Sequence, residues 1–189
     1  MIKTMKQNIM KVDPKTAQGE AKELLNAVNA KFGMIPNAFA TMATSPTTLK
    51  ALLGLNGTLE GGSLPFELRN EIAILVSELN GCSYCLSAFT AIGKSGGIKE
   101  KSLHTCRMAS SEDPKIDAGL KFVRELMQRR GAVGDDAVMT LRNAGYDDEG
   151  IGEIIANVAM MTFVNYFNLV AGTEVDFPLV EPMKPLVEI

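Results

Sequence analysis

The chain has 189 residues, about the length of one domain, and the expectation is a single domain over 1–189. Hydrophobic residues make up 46% and charged residues 22%, a globular balance that excludes a disordered tail protein or a collagen-like repeat. A net charge of -3 offers no basic field to nucleic acid or an anionic membrane, and three cysteines, an odd number, exclude a fully paired disulfide scaffold.

The punctuation along the chain is helical. Residues 1–11 lack the apolar stretch of a signal peptide, so the expected compartment is cytoplasmic, where thiols stay reduced. Asp13-Pro14 reads as an N-cap followed by proline at the first helical position, opening a helix that ends near Gly33. Ser45-Pro46 repeats the signal ahead of Leu49, Leu52, Leu53 and Leu59. Ser63-Leu64-Pro65 opens a third helix to about Leu79, which Asn80-Gly81 terminates. A helix starts at Cys82 and stops near Gly96-Gly97, and a short one covers Lys99 to Arg107. Asp113-Pro114 starts a helix to about Arg130, and Asp135-Asp136 and Asp147-Asp148-Glu149 open the last two. After Phe177, Pro178, Pro182 and Pro185 impose an extended tail. The expectation is an all-α fold of about eight helices.

Ile154 to Thr173 carries no charge over a membrane-spanning length. Asn157, Asn165 and Asn168 interrupt it, with Asn157 and Asn168 on one helical face. It reads as the buried centre of a bundle or an oligomer interface, not as a membrane helix.

The informative segment is Asn80-Gly81-Cys82-Ser83-Tyr84-Cys85-Leu86-Ser87-Ala88-Phe89. Cys82 and Cys85 stand one helical turn apart, so their sulfurs share a face. Cys82 falls at a helix N-terminus, where unpaired N–H groups and the dipole stabilise a thiolate. One thiol would attack a peroxide or disulfide and the other would resolve the product. Two buried small residues without chemistry are the plain alternative, and metal binding is another. No metal is expected, because zinc needs a second properly spaced pair. His104 and Cys106 point apart on a helix; His104 reads as a surface residue and Cys106 as a buried free thiol.

Cys82, Cys85, Leu86, Phe89 and Gly93 share one arc of their helix and face a partly apolar pocket. Candidate proton carriers are Tyr84, between the cysteines, and Glu71 and Glu78, seven apart on the preceding helix. For at least one of these glutamates a solvated helix edge is the simpler reading.

The chain resembles the AhpD-like alkylhydroperoxidase group of the carboxymuconolactone decarboxylase family from about Val12 to Pro178. The matching pieces are Phe32-Gly33-Met34-Ile35-Pro36-Asn37, Ser45-Pro46, Val76 through Cys85, Thr90-Ala91, Asn165-Tyr166-Phe167-Asn168, Ala171-Gly172-Thr173-Glu174 and Asp176-Phe177-Pro178. The resemblance implies an all-helical bundle around a helical hairpin carrying CxxC. It also implies a homotrimer or homohexamer. No cofactor is expected. The implied activity is reduction of hydroperoxides, or of a disulfide on a peroxiredoxin-type partner, by Cys82 and Cys85. The family's relay histidine, four residues after the second cysteine, falls on Phe89, and its glutamate, twelve residues before the first, falls on Asn70 beside Glu71. Its Asn-His pair in the last helix is Asn168-Leu169 here. A slow dithiol enzyme and a non-enzymatic oligomer with a redox-sensing dithiol are the two readings that follow.

Overall fold

The structure is a computed structural model and describes residues 7–183. Among these residues there are nine α-helices, one 3-10 turn and no strand, so the all-α expectation holds. The helices are α1 (Gly19–Phe32), α2 (Asn37–Met42), α3 (Pro46–Glu60), α4 (Phe66–Leu79), α5 (Ser83–Ser95), α6 (Glu100–Thr105), α7 (Pro114–Gln128), α8 (Asp135–Asn143) and α9 (Asp148–Ala171). The 3-10 turn, Cys106–Met108, follows α6 directly.

The capping chemistry sets most of these boundaries. Ser45 Oγ accepts from the Thr48 N–H at 3.3 Å, with Pro46 opening α3. Asp113 Oδ1 accepts from the N–H groups of Lys115 and Ile116 at 2.8 and 3.1 Å, and Asp147 Oδ1 from that of Gly150 at 2.8 Å. One start signal misleads. Asp13 holds an isolated turn, accepting from the Lys15 N–H through Oδ1 and from the Ala17 N–H through its carbonyl, both at 2.9 Å. Gln18, extended, then separates that turn from α1, which opens on Gly19 at φ 58°, so the helix begins later than the proline implies. The count of eight helices is also short by one. Helix α2 is only six residues long and has no side-chain cap; burial of Ala38, Ala40, Thr41 and Met42 holds it in place.

Helix α4 is the centre of the molecule, with α5, α7, α9 and the 3-10 turn packed around it. It is buried nearly all round from Leu68 to Glu78, polar Asn70, Glu71 and Ser77 as well as Leu68, Ile72, Ile74, Leu75 and Val76. Gly81, at φ 67°, makes the sharp turn that folds α5 back onto α4. Gly93 lets the two approach closely: a β-carbon there would stand 2.6 Å from Asn70 Oδ1. Helix α9 is long and apolar enough to cross a membrane by length and composition. Here it packs against α3, α4, α5 and α7, with Asn157, Asn165 and Asn168 on its buried side. Ile155, Phe163, Tyr166 and Val170 form an exposed apolar stripe on its other side.

The segment after α9 has no helix and returns over α4 and α5. Ser87 Oγ accepts from the Val180 N–H at 2.9 Å, and Glu78 Oε1 from the Met183 N–H at 2.6 Å. Pro178 and Pro182 lie in this extended run, while Pro185 and residues 1–6 fall outside the described residues.

Candidate active site

Cys82 is the N-cap of α5, and Cys85 stands one turn further along, both with about 1% of their surface exposed. Both are free thiols. The Cys85 N–H donates to Cys82 Sγ at 3.5 Å. The Cys85 thiol also donates to the Cys82 sulfur, and that bond, with the backbone N–H groups of Cys85 and Tyr84, pulls the Cys82 thiol below the ordinary cysteine value despite burial. Cys85 goes the other way. Burial pushes its thiol well up, and so does its role as donor to Cys82, while the amides of Asn168 and Asn165 offset part of this. Of the two thiols, Cys82 is therefore the more readily ionised and Cys85 the one that keeps its proton longer.

The two sulfurs face different surroundings. Cys85 lines a partly open cavity of about 520 Å³ formed by α3, α4, α5, α9 and the stretch from Phe32 to Phe39, whereas Cys82 is not part of its wall. The walls are largely apolar and include Phe39, Phe66, Phe89, Met160, Met161 and Phe177. The arc expected to carry both cysteines into one pocket is thus divided, because the N-cap position turns Cys82 into the α4–α5 turn.

Asparagines of α9 complete the dithiol's surroundings. Asn168 Nδ2 donates to Cys85 Sγ at 3.3 Å, and Asn165 Nδ2 donates to Ser77 Oγ at 3.2 Å while Asn80 Nδ2 donates to Asn165 Oδ1 at 3.0 Å. These residues were not read from the sequence as parts of the site. Their signal was present: polar residues on one face of an otherwise uncharged helix need buried partners.

The proposed proton carriers are placed differently from the expectation. The Tyr84 ring lines the cavity, but its hydroxyl accepts from the Ala38 N–H at 3.0 Å. Burial raises its pKa, with the negative charge of Asp176 adding to the shift, so it stays a neutral phenol. Neither Glu71 nor Glu78 lines the cavity, and neither is on a solvated helix edge. Glu71 is fully buried with both carboxylate oxygens unpartnered; burial, then the charges of Glu67 and Asp113, push it up to about 7. Burial pushes the neighbouring Cys106 thiol up, and the Glu71 charge adds to that shift. Glu78 forms an ion pair with Arg107 at 2.7 Å and receives the tail at Met183, so it fastens the chain end. As expected, His104 is exposed and Cys106 is a buried free thiol. Among the described residues no cluster of three or more His, Cys, Asp or Glu is arranged to hold a metal.

Asn70 and Phe89, which occupy the positions the resemblance gives to a relay, do meet in the cavity wall. Asn70 Nδ2 donates to the Phe89 carbonyl at 3.1 Å, leaving Asn70 Oδ1 buried without a partner. Sequence reasoning passed over Arg69, which also lines the cavity and whose buried Nε has no hydrogen-bond partner.

No protein-family model matches this chain, and no curated protein sequence matches it. Solved structures do. An alkylhydroperoxidase AhpD core, a peroxidase-related protein from Ralstonia eutropha, superposes with a TM-score of 0.78 at 22% identity, covering 88% of this chain and 90% of its own. A peroxidase-related protein from Silicibacter gives 0.77 at 20% identity, covering 92% and 94%. A cysteine-to-alanine variant of the debrominase Bmp8 in complex with 2,3,4-tribromopyrrole gives 0.76 at 21% identity, covering 91% and 93%. The fold is therefore the AhpD-like helical fold, which carries both peroxidase-related proteins and a debrominase.

Proposed function

We propose that the chain is a dithiol reductase of AhpD type that reduces apolar hydroperoxides with Cys82 and Cys85. The observation that carries this reading is the division of labour in the pair: Cys85 Sγ faces an apolar cavity, and Cys82, whose thiol is the more acidic, stands one turn behind it. In the reaction, Cys85 passes its proton to the Cys82 thiolate and attacks the terminal peroxide oxygen. An S–O bond forms, the O–O bond breaks, and the alkoxide leaves with the proton from Cys82 as an alcohol. Cys82 then attacks Cys85 Sγ; an S–S bond forms, the S–O bond breaks, and hydroxide leaves to become water. An external dithiol returns the pair to the reduced state. A small hydroperoxide suits this site better than a partner protein's disulfide, because both sulfurs are buried. The exposed stripe of α9 supports assembly into a trimer or hexamer, which light scattering at micromolar concentration would test.

The test is steady-state consumption of cumene hydroperoxide with dithiothreitol as reductant. The expected result is turnover in the parent and none above background in Cys85→Ser. Equal rates in the two proteins would remove the reading.

A second reading rests on the size of the cavity, far beyond what a peroxide group needs, together with the debrominase among the fold relatives. The same dithiol can reduce an aryl bromide. Two thiols become a disulfide, carbon gains hydrogen, and bromide and a proton are released. Bromide release from 2,3,4-tribromopyrrole by the reduced protein distinguishes this reading from the first.

A further inference from the structure

We propose that the cavity takes an amphipathic substrate, a short apolar body ending in a carboxylate, with Arg69 holding the carboxylate while the opposite end meets Cys85. The inference rests on the reductase reading for the reaction at Cys85 but not for binding. Arg69 is a cation set into a largely apolar wall. Its Nε is buried and unpartnered, and its Nη1 reaches only the Leu59 carbonyl, at a long 3.4 Å. Among the described residues it forms no ion pair. Two carboxylates lie near enough to feel its charge, and one of them, Glu60, lines the same cavity, but both are engaged elsewhere. Glu60 takes Lys31 Nζ at 2.5 Å and Asn56 Nδ2 at 2.8 Å, and Glu153 takes the N–H groups of Ser63 and Leu64 at 2.8–3.0 Å.

Nε has no accessible surface, so a molecule in the cavity meets the Nη end of the guanidinium, whose charge and paired donors match a carboxylate better than any other common group. Distance sets the length of the substrate. Phe66, Arg69, Asn70 and Ala73 form the α4 stripe of the cavity, and Asn70 is level with Phe89, to whose carbonyl it donates. Phe89 lies four residues beyond Cys85, about 6 Å of helical rise. In backbone level Arg69 and Cys85 thus lie a little over one helical turn apart, and the Arg69 side chain reaches further, toward the Leu59 carbonyl, so the cavity of about 520 Å³ has room between them for one aromatic ring or a chain of a few carbons.

Calorimetry with 4-phenylbutyrate and its methyl ester tests this on the reduced protein, because neither compound reacts with a thiol. The expected result is an acid that binds at least ~10-fold more tightly than the ester, the scale of one charge-assisted hydrogen bond. In Arg69→Met that preference falls to near unity, and in Arg69→Lys, which keeps a point charge but loses the fork, it falls several-fold. Equal binding of acid and ester by the parent, no binding of either, a preference that survives in a well-folded Arg69→Met protein, or one undiminished in a well-folded Arg69→Lys protein would overturn the proposal. A protein that binds the acid yet consumes no hydroperoxide would sink the reductase reading and leave this one standing.

Discussion

Asn168 is held at both ends of its amide: Nδ2 donates to Cys85 Sγ at 3.3 Å, and Oδ1 accepts from Thr173 Oγ1 at 2.8 Å. The second bond orients the amide so that N–H, not oxygen, meets the sulfur. A donor aimed at a buried sulfur favours its thiolate, the attacking form in the proposed reaction. Asn168→Ala is expected to slow oxidation of the pair by a small hydroperoxide roughly 10-fold, the scale of one hydrogen bond to a charged group. Stopped-flow measurement of the second-order rate checks it; an unchanged rate would mean that the amide only supports the fold.

The contact between Asn70 and Phe89 bears on the proton path. Both side chains line the cavity where the resemblance implies a carboxylate and an imidazole, and neither can move a proton. Slow turnover follows, since general acid–base assistance is typically worth ~10²–10⁴-fold. Phe89→His should raise the turnover number, and Asn70→Glu with Phe89→His should raise it by more than the two single changes combined. If folded variants leave the rate unchanged, proton transfer between the two cysteines already suffices.

Much of this architecture was legible in the sequence, and the failures have physical causes. Caps at Ser45, Asp113 and Asp147 located their helices because side-chain bonding to free N–H groups is local. The same pattern at Asp13 made only a turn, since extended Gln18 and Gly19 at φ 58° break the continuity. The dithiol's place at the head of α5 was readable from Asn80-Gly81. The fates of Glu71 and Glu78 were not. Which side of α4 meets α5 and which meets the 3-10 turn depends on tertiary packing, and helical spacing alone left both glutamates on an apparent edge. Arg69 looked like an ordinary surface cation until the cavity walls were in place.

Glu71 makes stability depend on pH. Its folded-state pKa of about 7 lies above the ordinary glutamate value of ~4.3, so the folded protein binds the proton more tightly than the unfolded chain does. The contribution is fully present below the unfolded value and is lost as pH rises through about 7. Glu71→Gln is expected to flatten this dependence and to stabilise the protein above pH ~7.5 by about 3 kcal/mol. Urea denaturation at a series of pH values reads it; parallel curves for parent and variant would contradict the assignment.

The Glu78–Arg107 pair should matter for the chain end. Both side chains are nearly buried, and Arg107 Nη2 also donates to the Glu181 carbonyl at 2.7 Å. Arg107→Ala leaves the Glu78 carboxylate with the Met183 N–H and no cation, a change expected to cost about 3 kcal/mol. Limited proteolysis should then cut the segment after Phe177 earlier than in the parent, while a cleavage pattern like the parent's would show that the pair does not fasten it.

The central claim concerns two particular sulfurs. Reduced protein treated with one equivalent of cumene hydroperoxide, quenched by alkylation and read by mass spectrometry, tests it most directly. The account predicts a Cys82–Cys85 disulfide formed with one equivalent of alcohol, Cys106 alkylated only after unfolding, and a sulfenic acid on Cys85 in Cys82→Ser. A dithiol that remains reduced, or oxidation that falls on Cys106, would contradict it.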